Sequence, residues 1–280
     1  MSRIVFVNDS YVPFEEASVS IMDRGFLFAD GIYEVSAVVN GKLVDNQAHL
    51  ERLDRCLKEI DIVNPYTISQ WIEIEQELVR RNDLKEGCVY MQVTRGAAER
   101  DFSYDRGLKP TAVAFTQPKN IVANPKAETG GSAISVPDLR WKRRDIKSIG
   151  LLGQVIAKQA AAEVGAVEAL MVEDGYVTEG GSSTAFIISG NKIITRPLSN
   201  AVLPGITRQA LMRLAKERDL TVEERLFTLE EALKADEVFI SSATTFVMPI
   251  VTIDDQKIGS GTPGPLTKRL RALYLEMAGA

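Results

Sequence analysis

The 280-residue chain has one histidine, His49, and two cysteines, Cys56 and Cys88. A single histidine excludes a His-rich metal centre within one chain, so no metal site is expected. It leaves a Ser-His-Asp or Cys-His catalyst with His49 alone, or with a histidine borrowed from another subunit. The cysteines lie far apart and form no C-x-x-C pair, which predicts reduced thiols and a cytoplasmic setting. No apolar run is long enough to span a membrane. The opening Met1–Asn8 reads as a first strand and not as a signal peptide. Basic residues number 33 against 38 acidic, a net charge of −5, which makes nucleic acid an unexpected partner. No repeat or low-complexity segment is present. What remains is ordinary: 45% hydrophobic and 25% charged residues place the chain among soluble globular proteins, and its length predicts about two domains.

Hydrophobic periodicity predicts a mixed order of elements. Strands are expected at 4–8, 32–39 and 42–44, the last two joined by the turn signal Asn40-Gly41. Leu50, Leu53, Leu57 and Ile60 recur at helical spacing over 47–60, and 68–79 is a second amphipathic helix. Strands at 89–94 and 111–116 precede a Pro-, Asn- and Gly-rich stretch at 117–131, the expected boundary. Domains are therefore placed at 1–118 and 132–280, with a linker at 119–131. The second half reads as a strand at 132–136 and a helix at 151–164 stopped by Gly165. Hairpins at 168–178 and 185–195 follow, then helices at 206–218 and 229–234, strands at 237–241 and 247–253, and a closing helix from Pro265. Strand pairs interrupted by single helices argue for α+β with largely antiparallel sheets, against a doubly wound sheet.

Several short stretches carry residues suited to chemistry, each with a plainer alternative. Lys147 follows the basic run Arg140-Trp-Lys-Arg-Arg144. A lysine amine is a nucleophile only when neutral, and Lys142, Arg143 and Arg144 are candidate cations to disfavour its ammonium form. A solvated basic loop accounts for the same residues. In Thr178-Glu-Gly-Gly-Ser-Ser-Thr184, Glu179 ends a strand beside glycines and hydroxyls that let a flat ligand approach; a polar hairpin loop would look the same. Leu203-Pro-Gly-Ile-Thr-Arg208 opens a helix whose free N–H groups favour an anion. Ser241–Thr245 places small and hydroxyl residues after a strand. Arg52 offers a planar fork of donors, or a surface salt bridge. His49 reads as a hydrogen-bonded packing residue. Arg100 could grip a carboxylate or be a loop arginine.

The order of these stretches says more than any one of them. Asp23-Arg-Gly-Phe, Asp30-Gly-Ile-Tyr-Glu34, His49-Leu-x-Arg-Leu53, Gln92-Val-Thr-Arg-Gly96, Asp145-Ile-Lys147-Ser, Thr178-Glu179-Gly, Gly205-Ile-Thr-Arg and Ser241–Thr245 together resemble the class IV aminotransferases, the fold-type IV pyridoxal-phosphate enzymes. The resemblance runs from about Arg3 to Tyr274, and its nearest pattern is the D-amino-acid branch. It implies an α+β fold with a small N-terminal α/β domain and a larger C-terminal domain holding a mostly antiparallel, barrel-like sheet. It implies pyridoxal 5'-phosphate as cofactor and a homodimer acting on amino acids and 2-oxo acids, such as D-alanine and 2-oxoglutarate. Lys147 matches the lysine that forms the Schiff base, and Glu179 the carboxylate paired with the pyridine nitrogen. Arg52, Ile206, Thr207 and Thr244 match the phosphate cradle. Tyr33 matches a tyrosine facing the substrate carboxylate. Arg100 matches the arginine of an Arg-x-His pair contributed by the partner subunit.

Here that pair reads Arg100-Asp101-Phe102. With no histidine at 102, Arg24 or Arg143 is a candidate replacement cation, and an apolar Phe102 is compatible with (R)-primary amines. Branched-chain L-amino-acid aminotransferase and aminodeoxychorismate lyase are the alternatives within the family. A non-catalytic binding module using 141–144 is the alternative outside it.

Overall fold

The computed structural model describes residues 2–280. The chain divides into two compact units. The first runs to Asn120 and also includes Ile146–Gly150; the second comprises Ile121–Asp145 and Leu151–Ala280.

The first unit contains β1 (Ile4–Val7), β2 (Ser10–Pro13), α1 (Arg24–Phe28), β3 (Gly31–Val39), β4 (Lys42–Leu43), α2 (Asn46–Glu59), α3 (Ile68–Arg81), β5 (Gly87–Thr94) and β6 (Thr111–Pro118). Its six strands form one antiparallel sheet in the order β2-β1-β6-β5-β3-β4. Asn40 and Gly41 both have positive φ, as a tight two-residue hairpin turn demands, and this sets the β3–β4 pairing. The apolar faces of α2 and α3 close over the sheet: Leu50, Leu53, Leu57, Trp71 and Leu78 pack with Ile32, Val38, Val89 and Met91 in one buried cluster. Thr67 and Gln70 form a reciprocal capping box that starts α3, a signal the apolar spacing alone did not use. The short α1 lies outside what periodicity could reveal, because five residues hold little more than one turn.

The second unit contains α4 (Pro125–Thr129), β7 (Gly131–Pro137), α5 (Leu152–Glu163), β8 (Glu168–Glu173), β9 (Tyr176–Gly180), β10 (Thr184–Ser189), β11 (Lys192–Thr195), α6 (Ile206–Glu217), β12 (Thr221–Glu224), α7 (Leu229–Leu233), β13 (Glu237–Ser242), β14 (Phe246–Ile253), β15 (Gln256–Lys257) and α8 (Pro265–Ala278). Nine strands make one sheet, β12-β11-β10-β13-β14-β7-β8-β9, with β15 paired to β14. Five of its pairings are antiparallel and three parallel. The parallel neighbours of β7 and β11 are separated from them in sequence, so these pairings leave no hairpin signal in the chain. The stretch around 125–129 is a short helix, started by Asn124, whose side chain accepts from the Lys126 N–H. Gly165 has φ +72 and follows the end of α5, in keeping with its expected role as a stop.

Candidate active site

The sequence-derived residues fall into two groups, one in each unit. In the first unit, Lys147 is held on the free edge of β3. Its carbonyl accepts from the Tyr33 N–H (3.1 Å), the Ile149 N–H donates to the Gly31 carbonyl (3.1 Å), and Ile32 bridges Ser148. This is why five residues far along the chain belong to the N-terminal unit. Lys147 Nζ lies 4.1 Å from the centroid of the Tyr33 ring. Tyr33 in turn stacks on Tyr90, and Tyr90 on Phe115, along one face of the sheet.

Strand alternation turns Glu34 to the opposite face, beneath α2. Its fully buried carboxylate accepts from Arg52 through Nε (2.6 Å) and Nη2 (3.0 Å), and sits 2.8 Å from His49 Nδ1. Burial would raise the Glu34 pKa. Arg52 and His49 overcome it and hold the carboxyl below the usual carboxylate range. Burial keeps His49 below its ordinary 6.5, despite the pull of Glu34. His49 is thus a packed, hydrogen-bonded residue, as expected. Arg52 is in no surface salt bridge: it is buried, and Glu34 orients its guanidinium. Nothing in the Asp30–Glu34 motif marks Glu34 as the partner of Arg52. Its i−15 and i−18 relation to two helical residues is visible only in the fold.

In the second unit, Glu179 is buried near the end of β9. It accepts from Arg140 Nη1 and from the Leu203 N–H (3.2 Å to Oε2). Burial raises its pKa against the opposing pull of Arg140. Arg140 is itself gripped by Asp138 through Nε (2.9 Å) and Nη2 (2.7 Å), and Asp138 accepts from Thr178 Oγ1 (2.6 Å). Arg140 and its hydrogen bonds hold Asp138 down at about 2, against burial. Nothing in the local sequence marks Asp138 or Leu203 as partners of this site. Arg140 opened the basic run but was not distinguished from its neighbours.

The rest of that run bears on the two readings of the basic stretch. Lys142 and Arg144 converge on Glu173 (2.6 to 2.9 Å), and Arg143 pairs with Asp145 (3.0 Å). These cations are committed to acidic partners, which weighs against the reading in which they disfavour a lysine ammonium. The same commitment weighs against a nucleic-acid patch.

Helix α6 starts at Ile206 with Gly205 as N-cap and no side chain capping it. The buried Thr207 Oγ1 has no hydrogen-bond partner, nor has the buried Ser241 Oγ. Ser241 pairs with Thr184 across β13 and β10, and a Cβ on Gly205 would stand 2.7 Å from Thr184 Oγ1. The glycine is therefore needed for close packing, and the orphaned Thr207 hydroxyl lies in the helix turn that follows it. Buried polar groups without partners call for an explanation, and at an uncapped helix start an anion supplies one. Thr244 lies in the turn between β13 and β14, where Ser242 Oγ meets Thr245 Oγ1 (2.8 Å).

Arg100 is exposed, with its guanidinium 5.2 Å from the Phe28 ring centroid and 5.8 Å from that of Phe102. Phe102 is 80% exposed. Arg24 does not substitute for a missing histidine. Its Nε pairs with Asp30 (2.9 Å), while Nη1 and Nη2 donate to the carbonyls of Asp101 (2.6 Å) and Phe102 (3.2 Å). Its donors are used to fix the loop. Arg143 is likewise engaged by Asp145. Among the described residues no group of acidic, His or Cys side chains could hold a metal ion, and no helix is long and apolar enough to cross a membrane.

Known proteins share the sequence pattern and the fold of this chain. The profile of "Amino-transferase class IV" matches residues 31–253. A D-alanine aminotransferase of Bacillus licheniformis is 43% identical over 269 residues, covering 95% of this chain and 94% of the relative. One of Staphylococcus aureus (strain N315) is 39% identical over 268 residues, covering 95% of both. Among solved structures, the branched-chain amino acid aminotransferase of Escherichia coli superposes with a TM-score of 0.93 at 23% identity, covering 99% of this chain and 94% of that one, a likeness of fold. The branched-chain aminotransferase of the archaeon Thermoproteus uzoniensis, solved with norvaline, gives 0.87 at 28% identity, covering 100% and 96%. The α+β fold is that of these enzymes, and the chain belongs to the class IV aminotransferase family.

Proposed function

We propose that this aminotransferase uses pyridoxal 5'-phosphate to move an amino group from a D-amino acid, such as D-alanine, to a 2-oxo acid, such as 2-oxoglutarate. The observation that carries the cofactor reading is the orphaned hydroxyl of Thr207 at the uncapped start of α6, together with that of Ser241 on β13 in the same unit. That donor set suits a phosphate ester, and a buried carboxylate in the same unit, Glu179, suits a protonated ring nitrogen. The donor assignment rests on the 43% and 39% identity to D-alanine aminotransferases.

When bound, the cofactor supplies an electron sink for the pair released at the substrate α-carbon. The chain's residues do the rest. Lys147 Nζ would hold the cofactor covalently and, when free, would be the base that takes the substrate α-proton and returns it. Glu179, kept in place by Arg140 and the Leu203 N–H, holds a proton on the ring nitrogen. Its raised pKa makes an adjacent positive charge favourable. Thr207, the Ile206 and Thr207 N–H groups, Thr244 and Arg52 hold the phosphate. Tyr33 faces the substrate carboxylate, and Arg100 of a second copy grips it in a homodimer, which light scattering would detect.

The exposed apolar Phe102 favours a second reading, an (R)-amine donor range, because its ring offers no charge to a carboxylate. The test is a donor screen on the yellow holoenzyme at fixed 2-oxoglutarate. D-alanine should bleach the colour and yield pyruvate. Activity on an (R)-arylamine with none on D-alanine would favour the second reading, and activity on L-leucine alone would overturn both.

A further inference from the structure

His49, Arg52 and Cys56 recur at intervals of three and four residues, so they share one face of α2. Two of the three contacts on that face are described above: His49 and Arg52 both bind Glu34. The third has no part in them. Cys56 is completely buried, and its Sγ accepts from the backbone N–H of Lys147 at 3.4 Å. The Lys147 peptide is therefore held on both sides. Its carbonyl is bound to β3 through the Tyr33 N–H, and its N–H is bound to α2 through sulfur. Arg55 Nη2 also donates to this Sγ (3.3 Å). Burial pushes the thiol pKa up, so the group is a neutral acceptor and not a thiolate.

We infer that Cys56 is a positioning residue that ties the backbone of Lys147 to the helix carrying Arg52. The inference rests on Lys147 being the cofactor lysine. One turn of helix, about 6 Å of rise, separates Arg52 from Cys56. A rigid helix that holds a guanidinium at one point and the lysine peptide one turn later fixes the distance between the grip on the phosphate and the reactive amine. Without the acceptor, the part-buried Lys147 N–H is left unpaired. The segment must then turn to find water or another carbonyl, and Nζ moves with it. Misplacing a reacting group by about 1 Å can cost on the order of a hundredfold in rate, so a loosened tether should be felt in turnover.

Three variants separate the acceptor from the space it fills. Cys56→Ser keeps an acceptor of similar size, Cys56→Ala loses acceptor and volume, and Cys56→Val fills the volume without an acceptor. Amide hydrogen exchange at Lys147, read by mass spectrometry in the protein without and with pyridoxal phosphate, should quicken roughly tenfold in Ala and Val and stay near wild type in Ser. With the donor found in the screen, kcat should fall on the order of tenfold in Ala and Val at little-changed KM, and Ser should rescue it. Should Val fail to fold, the Ala and Ser pair still differ in the acceptor and decide the matter. Wild-type exchange and turnover in Val alongside a loss in Ala would assign the effect to packing and overturn the inference. Unchanged behaviour in all three would do the same. Borohydride reduction of the holoenzyme, followed by peptide mapping, should tag Lys147. A tag on another lysine would overturn the underlying reading together with the inference, whereas a tag on Lys147 with unaffected variants would overturn the inference alone.

Discussion

Glu75 lies on α3 with no exposed surface, and neither carboxylate oxygen has a hydrogen-bond partner. Beside it, Ser36 Oγ donates to Asn46 Oδ1 (2.9 Å), and the buried Asn46 Nδ2 is left over. Burial pushes the Glu75 pKa from an ordinary 4.5 up to about 8, helped by the Glu34 charge and opposed by Asn46 and Ser36. The folded protein therefore keeps a proton that the unfolded chain gives up above pH 4.5. Because the native state binds the extra proton, the contribution of this group is fully present below 4.5 and is lost as pH rises toward 8. At about 1.4 kcal/mol per pH unit, the loss is under about 1 kcal/mol at pH 5, roughly 3 at pH 7, and on the order of 5 once both states are ionised. Glu75→Gln, neutral and close in size, removes that slope.

The assay is urea unfolding from pH 5 to 9, followed by tryptophan fluorescence in a Trp141→Phe background, so that it reports Trp71, which is buried in the same unit. His49 and Glu34 act in the opposite direction on the acid side, so the informative quantity is the difference between the two proteins. The Gln variant should be nearly equal to wild type at pH 5 and more stable by about 3 kcal/mol at pH 7, with the gap still widening at pH 8. Parallel stability curves across that range would refute the reasoning, since they would mean that Glu75 ionises alike in both states.

Other substitutions test the remaining parts. Lys147→Ala should reduce transamination by at least roughly a hundredfold in a steady-state assay while leaving the fold intact by circular dichroism. Arg52→Ala abandons the buried Glu34 carboxylate and should cost about 3–5 kcal/mol in chemical denaturation, a loss not expected of a surface arginine. Thr207→Ala removes a hydroxyl that has no partner within the chain. It should leave stability of the cofactor-free protein unchanged but weaken pyridoxal phosphate binding about fivefold in a fluorescence titration. Because His49 is held below 6.5 in the folded state, its contribution is present above that pH and lost on acidification. His49→Gln should therefore flatten the acid limb of the stability profile measured by thermal melts.

Much of the plan could be read from residues in order. Apolar residues at 50, 53 and 57 specified α2, Asn40-Gly41 specified the first hairpin, and the succession of short motifs pointed to the family, since local spacing and turn chemistry act within a few residues. The sequence also supplied Lys147, Glu179 and Thr207 as reactive or binding types. It could not say what each would touch. Arg52 offered a fork of donors or a surface salt bridge until the fold buried it on Glu34. The cations near Lys147 looked available until Glu173 and Asp145 came within 3 Å of them, and Arg24 looked like a spare cation until its donors met the 101–102 carbonyls. Nor could order along the chain show that residues 146–150 complete an N-terminal sheet, or that Cys56 meets the Lys147 amide 91 positions away. Propensity and periodicity are local and survive in one dimension. Charge pairing, burial and the satisfaction of backbone donors depend on which distant segments share a space, and only tertiary structure settles that.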